Sequence, residues 1–137
     1  MRLSPDEARR RFAADPVARL ATVSATGRPH IVPIVFVVAD DLIYTSVDAK
    51  PKTTLALRRL ANIAANPAVA VLADHYRDDW TRLWWVRADG NARIADTDED
   101  RTAKHLLTTR YPVYVQQPPP GPVIAIDVTR WSGWSAS

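Results

Sequence analysis

The stretch YTSVDAKPKTTLALRRL, Tyr44 to Leu60, decides how the chain is read. Tyr44-Thr45-Ser46 suits the end of a strand. Leu57, Leu60 and Ile63/Ala64 recur at helical spacing between about Thr54 and Ala65, with Arg58 and Arg59 on the other side and Asn66-Pro67 as a stop. Between strand and helix lies a turn stiffened by Pro51 that holds Lys50 and Lys52, two of only three lysines in a chain with 18 Lys plus Arg. Cations at a helix start oppose the macrodipole unless an anion is also present. The ammonium groups of Lys50 and Lys52, the hydroxyls of Ser46 and Thr53, and the free N–H groups of the helix start would converge on a phosphate-sized volume. The alternative is a solvated turn in which Thr53 merely caps the helix.

Upstream, Ser4-Pro5-Asp6-Glu7 supplies an N-cap, a proline suited to the first helical position and acids in the first turn, which predicts a helix from Pro5 to Ala14. Val17 to Ser24 reads as a strand, Ala25 to Arg28 as a turn, and HIVPIVFVVA, His30 to Ala39, as one second strand apolar on both faces. Val32, Ile34, Phe36 and Val38 on one side and Ile31, Val35 and Val37 on the other call for cover on both. Pro33 donates no ladder hydrogen bond, so a bulge, an edge or an opening is expected there. Leu42 to Ser46 completes an antiparallel meander. Downstream, strands are expected at Ala68 to Ala73, at Arg82 to Ala95 with a bulge at Asp89-Gly90, and from Val123 to about Trp131. Thr97 to Asp100 resembles a capping box for a helix from about Asp98 to Arg110, and QQPPPGP, Gln116 to Pro122, is a stiff connection. The sum is a mainly β (α+β) single domain over residues 1–137, a six-stranded antiparallel barrel with peripheral helices.

Composition narrows the function classes. At 47% hydrophobic and 24% charged residues, 137 residues suffice for one ordinary globular core. No apolar run reaches the roughly 20 residues of a membrane span and the N-terminus lacks a signal-like apolar core, so a cytoplasmic protein without membrane association is expected. With no cysteine, and with His30, His75 and His105 at no ligand spacing, no metal site is expected. The net charge of +3 is dispersed among acids, which does not indicate a nucleic-acid binder but leaves small anionic ligands open.

Trp80, Trp84 and Trp85 alternate with Arg77, Arg82 and Arg87, and Trp131 and Trp134 follow near the C-terminus. They could wall a planar ligand, form a subunit interface, or pack a core. Trp84 and Trp85 are adjacent in a strand and must face opposite sides, so one faces a partner or a ligand. Ser24, Ser46 and His75 show no triad signature, and His75 in DHYRDDW reads as a surface loop residue. No Gly-rich nucleotide fingerprint occurs, so an enzyme of this sequence would rely on a bound cofactor.

GRPHIVPIVF, then LIYTSVDAKPKTTLALRRLANIAANPAVAVLAD and LWWVRADGNARI, together resemble the split β-barrel proteins related to pyridoxamine 5'-phosphate oxidase, in particular their coenzyme F420-dependent branch. The resemblance covers nearly the whole chain and is most specific from Tyr44 to Ala73. It implies an FMN-binding type of split barrel and a homodimer with two cofactor sites at the subunit interface. Ser46, Lys50, Lys52 and Thr53 match the phosphate segment. Val32, Pro33, Ile34 and Val35 would lie beside the tricyclic ring, and Trp84, Trp85, Arg87 and Trp131 of the partner would close the site. F420 carries an oligoglutamate tail, for which Arg58 and Arg59, or Arg77 and Arg82, are the candidate anchors. The implied activity is hydride transfer between the deazaflavin and a small organic substrate, with FMN as the alternative cofactor and a non-catalytic carrier as the alternative role.

Overall fold

The computed structural model describes residues 1–47 and 54–137, with the side chains of 54–57 excepted. Lys50, Lys52 and Thr53 therefore lie outside the described residues. Among those described, α1 (Pro5–Ala14) is followed by β1 (Ala18–Val23), β2 (Pro29–Ile34), β3 (Val37–Ala39), β4 (Leu42–Ser46), α2 (Thr54–Ala65), β5 (Ala68–His75), β6 (Trp84–Ile94), α3 (Thr97–Arg110), α4 (Val113–Gln116) and β7 (Val123–Ser135). A 3-10 turn, Trp80–Arg82, precedes β6. The expected helix Pro5 to Ala14 is found, with Ser4 accepting from the Glu7 N–H as its cap.

The strands form one antiparallel sheet in the order β2-β1-β5-β6-β7-β4-β3. It has seven strands instead of six, because HIVPIVFVVA is divided. β2 and β3 are consecutive in sequence yet occupy opposite edges of the sheet. Three Cα steps separate Ile34 from Val37 and span at most about 11 Å, so the sheet must curl until its two edges nearly meet. The result is a barrel split between β2 and β3. Pro33 sits on the exposed side of an edge strand, one of the places a proline is tolerated.

The two-residue crossing is held from outside. Thr45 Oγ1 donates to Val35 O at 2.8 Å. Arg110 donates to Phe36 O at 2.7 Å and also to Asp15 O. The Tyr111 hydroxyl accepts from the Phe36 N–H at 3.2 Å and can donate to Phe36 O at 2.9 Å or Pro16 O at 3.0 Å. A segment with no ladder of its own thus has Val35 O, Phe36 N–H and Phe36 O satisfied.

Inside the barrel, Leu20, Val71, Val86, Ile43, Ile124 and Ile126 are fully buried. Phe12 of α1 plugs one end against Phe36, ring centroids 4.8 Å apart, and against Trp131 at 5.3 Å. α2 packs on β1 and β6, with Ile63 in the core and Asn62 donating to Thr22 Oγ1 at 3.1 Å. α3 covers the other side of β3, β4 and β7 through Ala103 and Leu106, building a second small core with Tyr44, Val123 and Ala125. Its cap is Asp96, whose carboxylate accepts from the Glu99 N–H at 2.9 Å, so the box expected at Thr97 begins one residue earlier. The expected bulge falls between Asp89 and Gly90. A Cβ on Gly90 would stand 2.3 Å from Asp127 O, which explains the glycine.

Candidate functional site

The strand that precedes the lysine-bearing residues ends at Ser46, as the sequence implies. Ser46 is half-buried at the end of β4, where its hydroxyl donates to Gly121 O at 3.3 Å. Val47 is buried and its N–H donates to Pro122 O at 3.0 Å, so the proline-rich connection fastens this strand end. α2 then starts at Thr54 with no acid in its first turn, so no carboxylate of its own complements the positive end of its dipole. Arg58 is exposed. Arg59 is half-buried with Nε shut off from solvent and without a partner among the described residues, and burial pulls its pKa below the ordinary value.

The four residues expected beside a ring separate by face. Val32 and Ile34 point into the barrel, Pro33 points outward, and Val35 lies just beyond β2 with its carbonyl held by Thr45. Trp84 and Trp85 do face opposite sides. Trp84 packs on the inner core and stacks on His75, centroids 4.7 Å apart, with the Arg11 guanidinium 5.9 Å from its ring. Trp85 is half-buried on the outer face. Trp131 is a core residue, 8% exposed, whose Nε1 donates to Asp41 at 3.0 Å. Trp80 is 76% exposed.

The outer face of β2, β1, β5 and β6 is where the strand apolarity finds no cover among the described residues. Register places Ile31 beside Ala21, Ala21 beside Ala70, and Pro33, Arg19, Leu72 and Arg87 in the next row. Together with Trp85 these residues, Pro33 excepted, line a shallow apolar depression of about 330 Å³, and Ile31 is 64% exposed. The demand for cover on both sides of HIVPIVFVVA is thus met on the barrel side and, at Val37, by the α3 core, but is open at Ile31 of β2.

Two polar groupings escaped the sequence reading. Tyr44 donates to Glu99 Oε2 at 2.9 Å, Arg93 pairs with the same carboxylate, and Arg93 Nε reaches Asp127 at 2.9 Å. Burial and the bond to Glu99 push the Tyr44 pKa up to about 12, and the Arg93 guanidinium holds Glu99 below its usual range. Sequence separations of 55 and 34 residues concealed this cluster. His75, expected in a surface loop, instead ends β5, held 2.8 Å from the buried Asp15 carboxylate, and Arg77 lies 3.1 Å from its other ring nitrogen. A helix-to-strand connection brought to a distant strand end gives no local signal. Among the described residues no group of three His, Cys, Asp or Glu is placed to hold a metal ion.

A pyridoxamine 5'-phosphate oxidase family profile matches residues 4–135. The chain belongs to that family. Its fold is the family's split β-barrel, mainly β with peripheral helices, and solved structures agree. A FAD-binding protein of Mesorhizobium loti superposes with a TM-score of 0.76 at 21% identity, covering 97% of this chain and 93% of the other. A FAD-binding protein of Mycobacterium smegmatis gives 0.68 at 21% identity with 98% and 96% coverage. A hypothetical protein of Mycobacterium tuberculosis gives 0.79 at 21% identity with 98% and 86% coverage. No curated protein sequence matches the chain. For a family member, the acid-free start of α2, the orphaned Arg59 Nε and the open apolar sheet face suit a cofactor with an anionic chain and a flat ring.

Proposed function

We propose that the chain is a flavin- or deazaflavin-dependent oxidoreductase acting as a homodimer, with coenzyme F420 as the cofactor and FMN as the alternative. The observation that carries this reading is the family match over residues 4–135, which includes the whole strand–turn–helix segment. In this reading Ser46, Lys50, Lys52 and Thr53 bind the cofactor phosphate at the start of α2. Arg58 and Arg59 follow within two turns of helix and supply the positive charge that the tail carboxylates of F420 require. The apolar outer sheet face takes a second copy, and Pro33, Trp85 and Arg87 lie where a ring bound at that junction is shielded from water. Hydride transfer to or from a small organic substrate is the chemistry such a ring supplies when bound, while the chain's own residues bind, orient and exclude water.

FMN or FAD is favoured over F420 by one observation, that two structural neighbours are described as FAD-binding. Equilibrium dialysis of the protein against F420, FMN and FAD separates the readings. Submicromolar F420 affinity with weak FMN and FAD is the expected result, and the reverse order overturns the F420 assignment. Mixing the reduced complex with enones and quinones then separates an enzyme from a carrier, since tight binding without turnover across the panel favours the carrier.

A further inference from the structure

On the outer face beyond Trp85, the ends of β6 and β7 carry a groove of about 750 Å³, within the usual range of small-ligand sites. Antiparallel register sets Trp134 opposite Trp85, Ser132 opposite Arg87 and Arg130 opposite Asp89, and Arg2 bridges to Trp134. Directly opposed residues share a face, so Arg2, Trp134, Trp85, Arg87 and Arg130 all project to one side.

The charges in this groove are unequally committed. Asp41 takes Trp131 Nε1 at 3.0 Å and Arg9 at 3.3 Å, Asp6 lies 3.6 Å from Arg9, and Arg87 pairs with Asp89 at 3.1 Å. Among the described residues Arg2 and Arg130 have neither an ion pair nor a side-chain hydrogen bond, although both line the groove. Ser132 Oγ, also in the lining, is buried without a partner among them. Arg130 and the Arg2–Trp134 bridge are four residues apart on β7, about 13 Å. Trp134 therefore has Arg2 beside it on one side and Trp85 on the other, with Arg130 two same-face positions along β7.

We propose that this groove binds a planar aromatic carboxylate, with the ring against Trp134 and Trp85 and the carboxylate on Arg2 or Arg130. It rests on the oxidoreductase reading only in making that anion the substrate class; the binding itself needs no cofactor.

Calorimetric titration of the full chain with 2-naphthoate and with its neutral amide, 2-naphthamide, tests it. Naphthoate is expected to bind at least 10-fold more tightly than the amide, about 1.4 kcal/mol, and Arg2→Gln/Arg130→Gln is expected to abolish that preference while leaving amide binding in place. Equal affinities in the wild type, or an unchanged preference in the double variant, overturn the proposal. The same double variant is then titrated with F420 and FMN. Retained cofactor affinity supports the substrate assignment, and loss of cofactor together with naphthoate overturns it by giving the arginines to the cofactor. A wild-type protein that takes naphthoate but neither cofactor leaves the groove standing and removes the oxidoreductase reading.

Discussion

The Glu99 carboxylate, in the first turn of α3, receives Tyr44 of β4 and Arg93 of β6. Its pKa is lowered from 4.5, first by the bond from Arg93 and further by that from Tyr44. A depressed carboxylate contributes stability that is present above its unfolded value and lost as the pH falls through the folded one. Tyr44 has the opposite sign: its pKa is raised from 10.0 to about 12, so its contribution is present below pH 10 and lost on the way to 12. Urea midpoints measured from pH 3 to 11 should hold level near neutrality and fall below about pH 4.5. Glu99→Gln should start lower at pH 7 and lose less on acidification; an acid limb as steep as that of the wild type contradicts the assignment. The same scale shows what sequence conceals. Trp131 was legible as an aromatic of consequence, but only the fold reveals that Asp41 takes its indole N–H and that Phe12 takes its ring.

Elements were more legible than their partners. α1, β4 and α2 have the ranges that caps and periodicity indicate, because local signals determine them. The break in HIVPIVFVVA was not legible, since both halves are apolar and neither Gly nor an acid marks the crossing at Val35-Phe36. The physical cause lies 74 and 75 residues away, in the Arg110 guanidinium and the Tyr111 hydroxyl that bind Phe36. α4 was missed for a similar reason, a four-residue helix being too short to show a period. β7 runs on to Ser135, past the expected end at Trp131, because its partner β6 and the N-terminal residues supply ladder bonds there. Tyr111→Phe should cost about 1–3 kcal/mol in urea unfolding, the range for a part-buried N–H left without its acceptor. A variant as stable as the wild type would mean that the crossing is held by Arg110 and Thr45 alone.

At the scale of the whole molecule, the seven-stranded sheet buries one face and leaves Ile31, Ala21, Ala70 and Leu72 open on the other. Charges cannot be buried at such a contact without partners. Ile31→Arg should therefore leave the barrel folded and shift a sedimenting dimer to monomer, whereas a wild-type protein that sediments as a monomer at tens of micromolar contradicts the assembly. In the proposed assembly the dimer carries a flavin-type cofactor anchored by Lys50 and Lys52, whose anion-binding role is an expectation from the sequence and which lie outside the described residues. Sedimentation velocity with F420 or FMN present, followed at the ring's own absorption, tests this most directly. Ring absorbance is expected to move with a particle of twice the chain mass in wild type, and to remain unsedimented in a folded Lys50→Ala/Lys52→Ala variant. Ring absorbance that travels equally with the variant, or with neither protein, would contradict it.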